Sequence, residues 1–199
     1  MENSKVAIIT GGGRGIGAAT ARLFASKGYS VCINYKSNVE SANSVAESIR
    51  QQGGRCITVP ADVSDEAGVK RLFDTVDEEL GPVSVLVNNA GILRPQTRLV
   101  EMDAERINAL LTNNVTGYFL CCREAVKRMS TEHGGQGGTI VNVSSTAART
   151  GSANEYIDYA ASKGAVDTLT GGLSLEVAAE GIRVNCVRPG LIYTEMHAD

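Results

Sequence analysis

"TGGGRGIG" occupies residues 10–17, directly after the apolar run "KVAIIT" at 5–10. Small residues between a strand and a helix let the backbone come close to a diphosphate. The helix start adds free N–H groups and a positive dipole end. The spacing is Gly11-x-x-x-Gly15-x-Gly17, with Gly13, Arg14 and Ile16 inside it, rather than G-x-G-x-x-G. Such a turn also closes strand–helix units that hold no ligand, so the rest of the chain decides its meaning.

Outward from that turn, short β-branched runs alternate with longer amphipathic stretches. Strands are expected at 5–10, 29–35, 55–60, 83–89, 138–145 and 182–187. Helices are expected at about 15–27, 39–52, 65–80, 103–130 and 158–180. The strand runs are nearly continuous in apolar residues, as in strands covered on both faces of a parallel sheet. Strict β–α alternation of this kind means a doubly wound α/β fold. No repeat or linker divides the 199 residues, which form one domain over 1–199. "GGQGG" (134–138) precedes its strand, the wrong end for a ligand, and reads as a flexible turn.

Composition excludes several classes of function. A formal net charge of -3, without a basic run, argues against nucleic acid or an anionic membrane as partner. No apolar stretch approaches the roughly 20 residues that span a bilayer. Cys32, Cys56, Cys121, Cys122 and Cys186 are odd in number and lack CxxC spacing, which predicts reduced core thiols in a cytoplasmic protein. Two histidines, His133 and His197, make a histidine metal site or triad a poor expectation, so no metal is assigned. The stretches 118–129 and 160–178 are apolar around much of their circumference. One stripe covers the sheet, and the excess predicts a homo-oligomer, dimer or tetramer, through these two helices.

Three further motifs fall at strand carboxyl ends, the ligand edge of such a sheet. "ADV" (61–63) places Asp62, followed by Val63, where a carboxylate can accept from an adenine amino group. "NNAG" (88–91) brings Asn89, Ala90 and Gly91, and "RPG" (188–190) brings Pro189 and Gly190. The second strand ends in Tyr35 and Lys36, with no acid before Glu40, where NAD-type sites carry Asp or Glu for the ribose 2′-hydroxyl. Lys36 and Arg14 together suit a 2′-phosphate, so NADP(H) is favoured over NAD(H).

"EYIDYAASKGA" (155–165) sets Tyr159 four residues before Lys163, on one helical face, while Tyr156 lies seven before it. A phenol titrates near pH 10. An ammonium one turn away favours the phenolate and should draw that pKa down, as acid–base work requires.

Taken in order, "TGGGRGIG", "NNAG", "NNVTG", "VNVSS", "YAASK" and "RPG" resemble the short-chain dehydrogenase/reductase family from Lys5 to about Thr194. The resemblance implies a Rossmann sheet and hydride transfer between a nicotinamide and a small-molecule carbonyl or secondary alcohol. It implies Tyr159 as general acid/base and Ser145, with Ser144 the alternative, as hydrogen bonder to the substrate oxygen. Lys163 would hold nicotinamide-ribose hydroxyls and Asn114 a water leading to solvent. Ile192 and Thr194 would join Pro189 and Gly190 around the nicotinamide. A non-catalytic dinucleotide sensor and an NAD(H)-dependent sugar or alcohol dehydrogenase are the competing readings. The family normally continues past "RPGLIYTEMHAD" with a substrate-covering segment, a helix and a final strand. The chain is therefore expected to be C-terminally incomplete, its last strand having lost a neighbour and the cover of one face.

Overall fold

The β–α alternation builds one parallel sheet in the computed structural model, which describes residues 5–194. Its strands are β1 (Val6–Ile9), β2 (Ser30–Tyr35), β3 (Cys56–Pro60), β4 (Val83–Asn88), β5 (Gly138–Val143) and β6 (Ile182–Val187). They lie in the order β3-β2-β1-β4-β5-β6, each pair parallel. The chain crosses from β3 back to the far side of β1, so the direction of winding reverses between β1 and β4. That reversal opens a crevice at the strand carboxyl ends.

Among the described residues seven α-helices connect the strands: α1 (Gly15–Ser26), α2 (Val39–Gln51), α3 (Glu66–Glu79), α4 (Ala104–Leu111), α5 (Gly117–Met129), α6 (Ala147–Thr150) and α7 (Ile157–Glu176). Ile8, Cys32, Leu86 and Ile140 pack beneath α3 and α5 with Leu72, Phe73, Cys121 and Ala125. On the opposite face Ala7, Ile9, Val31, Ile33 and Val85 pack with Ala18 and Ala21 of α1 and Val45 and Ile49 of α2. Burial on both faces explains why these strands read as unbroken apolar runs. Asn38, Asp65 and Asp103 cap α2, α3 and α4 through their side chains, each satisfying one orphan amide. All five cysteines are free, and four are buried.

Three expectations change in detail. The single helix expected at 103–130 is two helices joined by a π-turn at Thr112–Thr116, which carries Asn113 and Asn114 inward. The helix expected at 158–180 ends at Glu176 and is followed by a 3-10 turn at Ala178–Glu180. Strand β6 is not covered on both faces: Ile182 and Val184 are buried while Arg183, Asn185 and Val187 are exposed. Read residue by residue, "IRVNCV" alternates, as a strand with one packed face should. Among the described residues β6 pairs only with β5. The glycine-rich 134–138 segment is the expected turn into β5. Gly137 has φ 77°, and a Cβ there would lie 2.5 Å from the Gly181 carbonyl oxygen.

Candidate active site and cofactor groove

The 10–17 turn is knotted to the two strand ends beside it. Thr10, almost fully buried, accepts through its hydroxyl from the amides of Asn89 (2.9 Å) and Ala90 (3.0 Å). Asn89 Nδ2 donates back to the carbonyls of Thr10 (3.0 Å) and Gly11 (3.1 Å). From the other side Asn34 accepts from Gly11 N (3.3 Å) and donates to Ala61 O (2.9 Å), so it ties the ends of β1, β2 and β3. Gly17 sits under this knot. A Cβ on it would fall 2.5 Å from Gly11 O and 2.6 Å from Asn89 Nδ2, and only glycine fits.

Above the knot runs a groove of about 440 Å³. Gly11, Gly13, Arg14, Gly15, Ile16, Tyr35, Lys36, Asp62, Val63, Asn89, Ala90, Gly91 and Thr194 line it. The N-cap of α1 is Arg14, in extended conformation and without a side-chain cap. The first-turn amides of α1 are thus left for a ligand, which is the donor set a pyrophosphate takes. The residues present fit a nicotinamide dinucleotide. Pro189, Gly190 and Ile192 do not line the groove. Pro189 O instead accepts from Thr146 N (3.1 Å), and Gly190 and Ile192 are exposed.

At the end of β2, Lys36 Nζ lies 2.6 Å from Asp62 Oδ2. Asp62 Oδ1 accepts from Ser64 N (3.0 Å) and Ser64 Oγ (2.6 Å). Burial raises the carboxyl's pKa, but the bonds from Lys36 and Ser64 outweigh it and hold Asp62 below its ordinary range. The two residues expected to act separately, one on a 2′-phosphate and one on adenine, are therefore partners. Arg14 has no hydrogen-bond or ion-pair partner for its guanidinium among the described residues.

The candidate catalytic corner is assembled from the end of β5, α5, α7 and the π-turn. Lys163 is 2 % exposed, and its Nζ donates to Val143 O (2.7 Å) and to Tyr118 Oη (3.2 Å). The same phenol donates to Val143 O (3.0 Å), and its ring lies 5.0 Å beneath the ammonium. Burial is the main influence on Lys163, lowering its pKa to about 8 against a weaker upward pull from Asp167. Tyr159, half-buried on the same face of α7, has its ring centroid 5.6 Å from Lys163 Nζ. Burial raises the Tyr159 phenol, and the neighbouring Ser145 hydroxyl pulls it partway back. This reverses the direction expected from the lysine alone: the ammonium is committed to Val143 O and Tyr118, and desolvation outweighs it.

The serine pair divides its work. Ser144 is buried and donates to Lys163 O (3.2 Å), while Ser145 Oγ accepts from Ala147 N (3.1 Å) and faces the Tyr159 phenol. Asn114 Oδ1 accepts from Ile92 N (2.8 Å), and its Nδ2 donates to Ile92 O (3.0 Å) and lies 3.3 Å from Ser162 Oγ. Its side chain thus fastens the segment after Gly91 to α7. A Cβ on Gly91 would lie 3.4 Å from Asn114 Oδ1 and 3.8 Å from Lys163 Nζ, so the groove runs directly into the corner. Thr10, Asn34 and Tyr118 were not singled out from sequence. An Asn or Thr at a strand's end carries no periodic signal, and Tyr118 reads as one more apolar position of a helix.

The whole described chain finds relatives. A family model described as short chain dehydrogenase matches residues 5–199. The uncharacterized oxidoreductase YgfF of Escherichia coli (strain K12) is 61% identical over 97% of this chain and 78% of that protein. The cis-4-hydroxycyclohexanecarboxylate dehydrogenase of Sinomonas cyclohexanicum is 41% identical over 98% of this chain and 76% of its own length. Among solved structures, a dehydrogenase/reductase from Sinorhizobium meliloti 1021 superposes with a TM-score of 0.90 at 33% identity. That match covers 96% of this chain and 74% of the other.

Proposed function

The chain belongs to the short-chain dehydrogenase/reductase family, and on that premise we propose that it is an NADP(H)-dependent oxidoreductase of carbonyls and secondary alcohols. The observation that carries the chemistry is the convergence of Tyr159, Ser145 and buried Lys163 where the groove ends at Gly91. When bound, the nicotinamide supplies or takes up the hydride. Tyr159 Oη gives its proton to the substrate oxygen in reduction and recovers it in oxidation. Ser145 hydrogen-bonds that oxygen as charge develops on it. Lys163 holds ribose hydroxyls, with Tyr118 and Val143 O fixing its head.

Arg14 and Lys36 support the 2′-phosphate reading. The Lys36–Asp62 pair favours a second reading, an NAD(H)-dependent sugar or alcohol dehydrogenase, because it half-neutralises one of the two cations. Exposed Phe119 on α5 and Leu175 on α7 support a dimer or tetramer through those helices, which light scattering would size. Five free thiols suit a cytoplasmic location. The deciding experiment is consumption of NADPH and of NADH over a panel of ketones, aldehydes and sugars. Turnover with NADH alone would remove the NADP(H) assignment. No turnover with either would remove the enzyme.

A further inference from the structure

We propose that Arg106 and Asp158 form a latch that joins the two walls flanking the catalytic corner and positions Tyr159. Asp158 lies in the first turn of α7, with its side chain 2% exposed. Its Oδ1 accepts from Tyr159 N (2.9 Å), satisfying one of the amides that a helix start leaves unpaired. Its Oδ2 accepts from Arg106 Nε at 2.8 Å. Arg106, from α4, uses Nη1 to donate to Pro95 O at 2.9 Å. One guanidinium thus grips the segment that follows Gly91 and the carboxylate that holds the Tyr159 amide.

A second tie runs parallel to it: Thr97 N donates to Glu155 O at 3.1 Å. Between Gly151 and Tyr156 the chain carries two non-glycine residues in the left-handed region, Ser152 (φ 45°) and Asn154 (φ 65°). Such conformations persist only where the surroundings hold them. Arg106 Nη2 is buried with no partner among the described residues. An unmet buried donor costs free energy, so this arginine is placed for its other two bonds rather than for greatest stability. Neither residue touches the expected reacting atoms. Both are positioning residues.

The inference rests on the oxidoreductase reading for its catalytic meaning, but its first readout needs no substrate. Breaking the pair on one side strands a buried charge and can unfold the chain. The informative variant is therefore the double replacement Arg106→Met with Asp158→Asn, beside Arg106→Lys, which keeps one cation. Hydrogen exchange in the double variant should quicken about tenfold in 92–98 and 155–160 together, while 11–17 keeps its rate. With any working carbonyl, kcat/KM should fall roughly tenfold at an unchanged NADPH Kd. Arg106→Lys should recover part of both effects. Unchanged exchange in both segments, or loosening of one without the other, overturns the latch. If the wild type turns nothing over, the reading of function falls while exchange still decides the latch.

Discussion

The cofactor turn and the catalytic corner stand side by side on the same sheet edge, yet they are made of different material. The turn is backbone and small residues from 10–17, 34 and 88–91, fastened by Thr10, Asn34 and Asn89. Its helix start carries no side-chain cap, and its small residues leave a groove above it. The corner is the reverse. It consists of side chains from four elements, Asn114, Tyr118, Ser145, Tyr159 and Lys163, each held by a partner distant in sequence. An added atom should therefore harm the turn, above all at Gly17, and a lost one the corner.

Removing an atom from the corner should cost most. Tyr159→Phe deletes only the phenolic oxygen and should lower kcat/KM by about 10²–10⁴, the usual worth of a positioned acid–base group. NADPH affinity, read by fluorescence titration, should hardly move. Tyr156→Phe, made in parallel, should be near wild type, and equal losses in the two would show that the wrong tyrosine has been assigned.

Adding an atom to the turn comes next. Gly17→Ala sets a Cβ within 2.6 Å of Asn89 Nδ2 and closer still to Gly11 O. The Thr10–Asn89 knot must open to admit it. Dinucleotide affinity should fall at least roughly tenfold, with kcat at saturating cofactor much less affected, since the damage lies in binding energy. A kcat loss matching that of Tyr159→Phe would erase the distinction between the regions.

Tyr118→Phe tests whether the corner extends beneath its visible surface. The ammonium of Lys163 loses one acceptor while the ring under it stays. Because Lys163 sits at about 8, kcat/KM for NADPH in the wild type should be level below that pH and decline above it, as the cation is lost. An ammonium with one acceptor fewer is harder to keep, so the decline should begin at lower pH in Tyr118→Phe. An unmoved limb would reduce Tyr118 to packing.

The smallest effect belongs to the rim. Lys36→Asp sets a second carboxylate beside Asp62 and should lower the NADPH-to-NADH ratio of kcat/KM by at most about fivefold, the worth of one partly exposed charge pair. If the ratio stays put, Arg14 alone carries any preference.

Legibility in the sequence follows the same division. Glycines that avoid a clash leave a spaced pattern, so the turn and the order of strands could be read directly, and the parallel sheet came out as expected. Tyr159 and Lys163 could be paired because four residues on a helix are neighbours in space. The π-turn at Thr112–Thr116 could not be read, since one extra residue in a helical loop hardly disturbs an apolar period. Nor could the Lys36–Asp62 pair, which joins the ends of two strands 26 positions apart. Tyr159's raised phenol was missed because adjacency along a helix says nothing of how much water burial removes.

The knot at Thr10 also has a consequence in time. Its hydroxyl waits for the amides of Asn89 and Ala90, and β1 waits for β4, about 77 residues later in the chain. At the usual 5–20 residues per second of synthesis, roughly 4 to 15 s pass between the emergence of the two halves of that contact. During that interval β1 can pair with β2 alone, and its other side is an open, wholly apolar edge on a growing polypeptide. This glycine turn is thus among the later features to take its final shape, and the nascent chain is most exposed to mispairing just before residue 83 arrives.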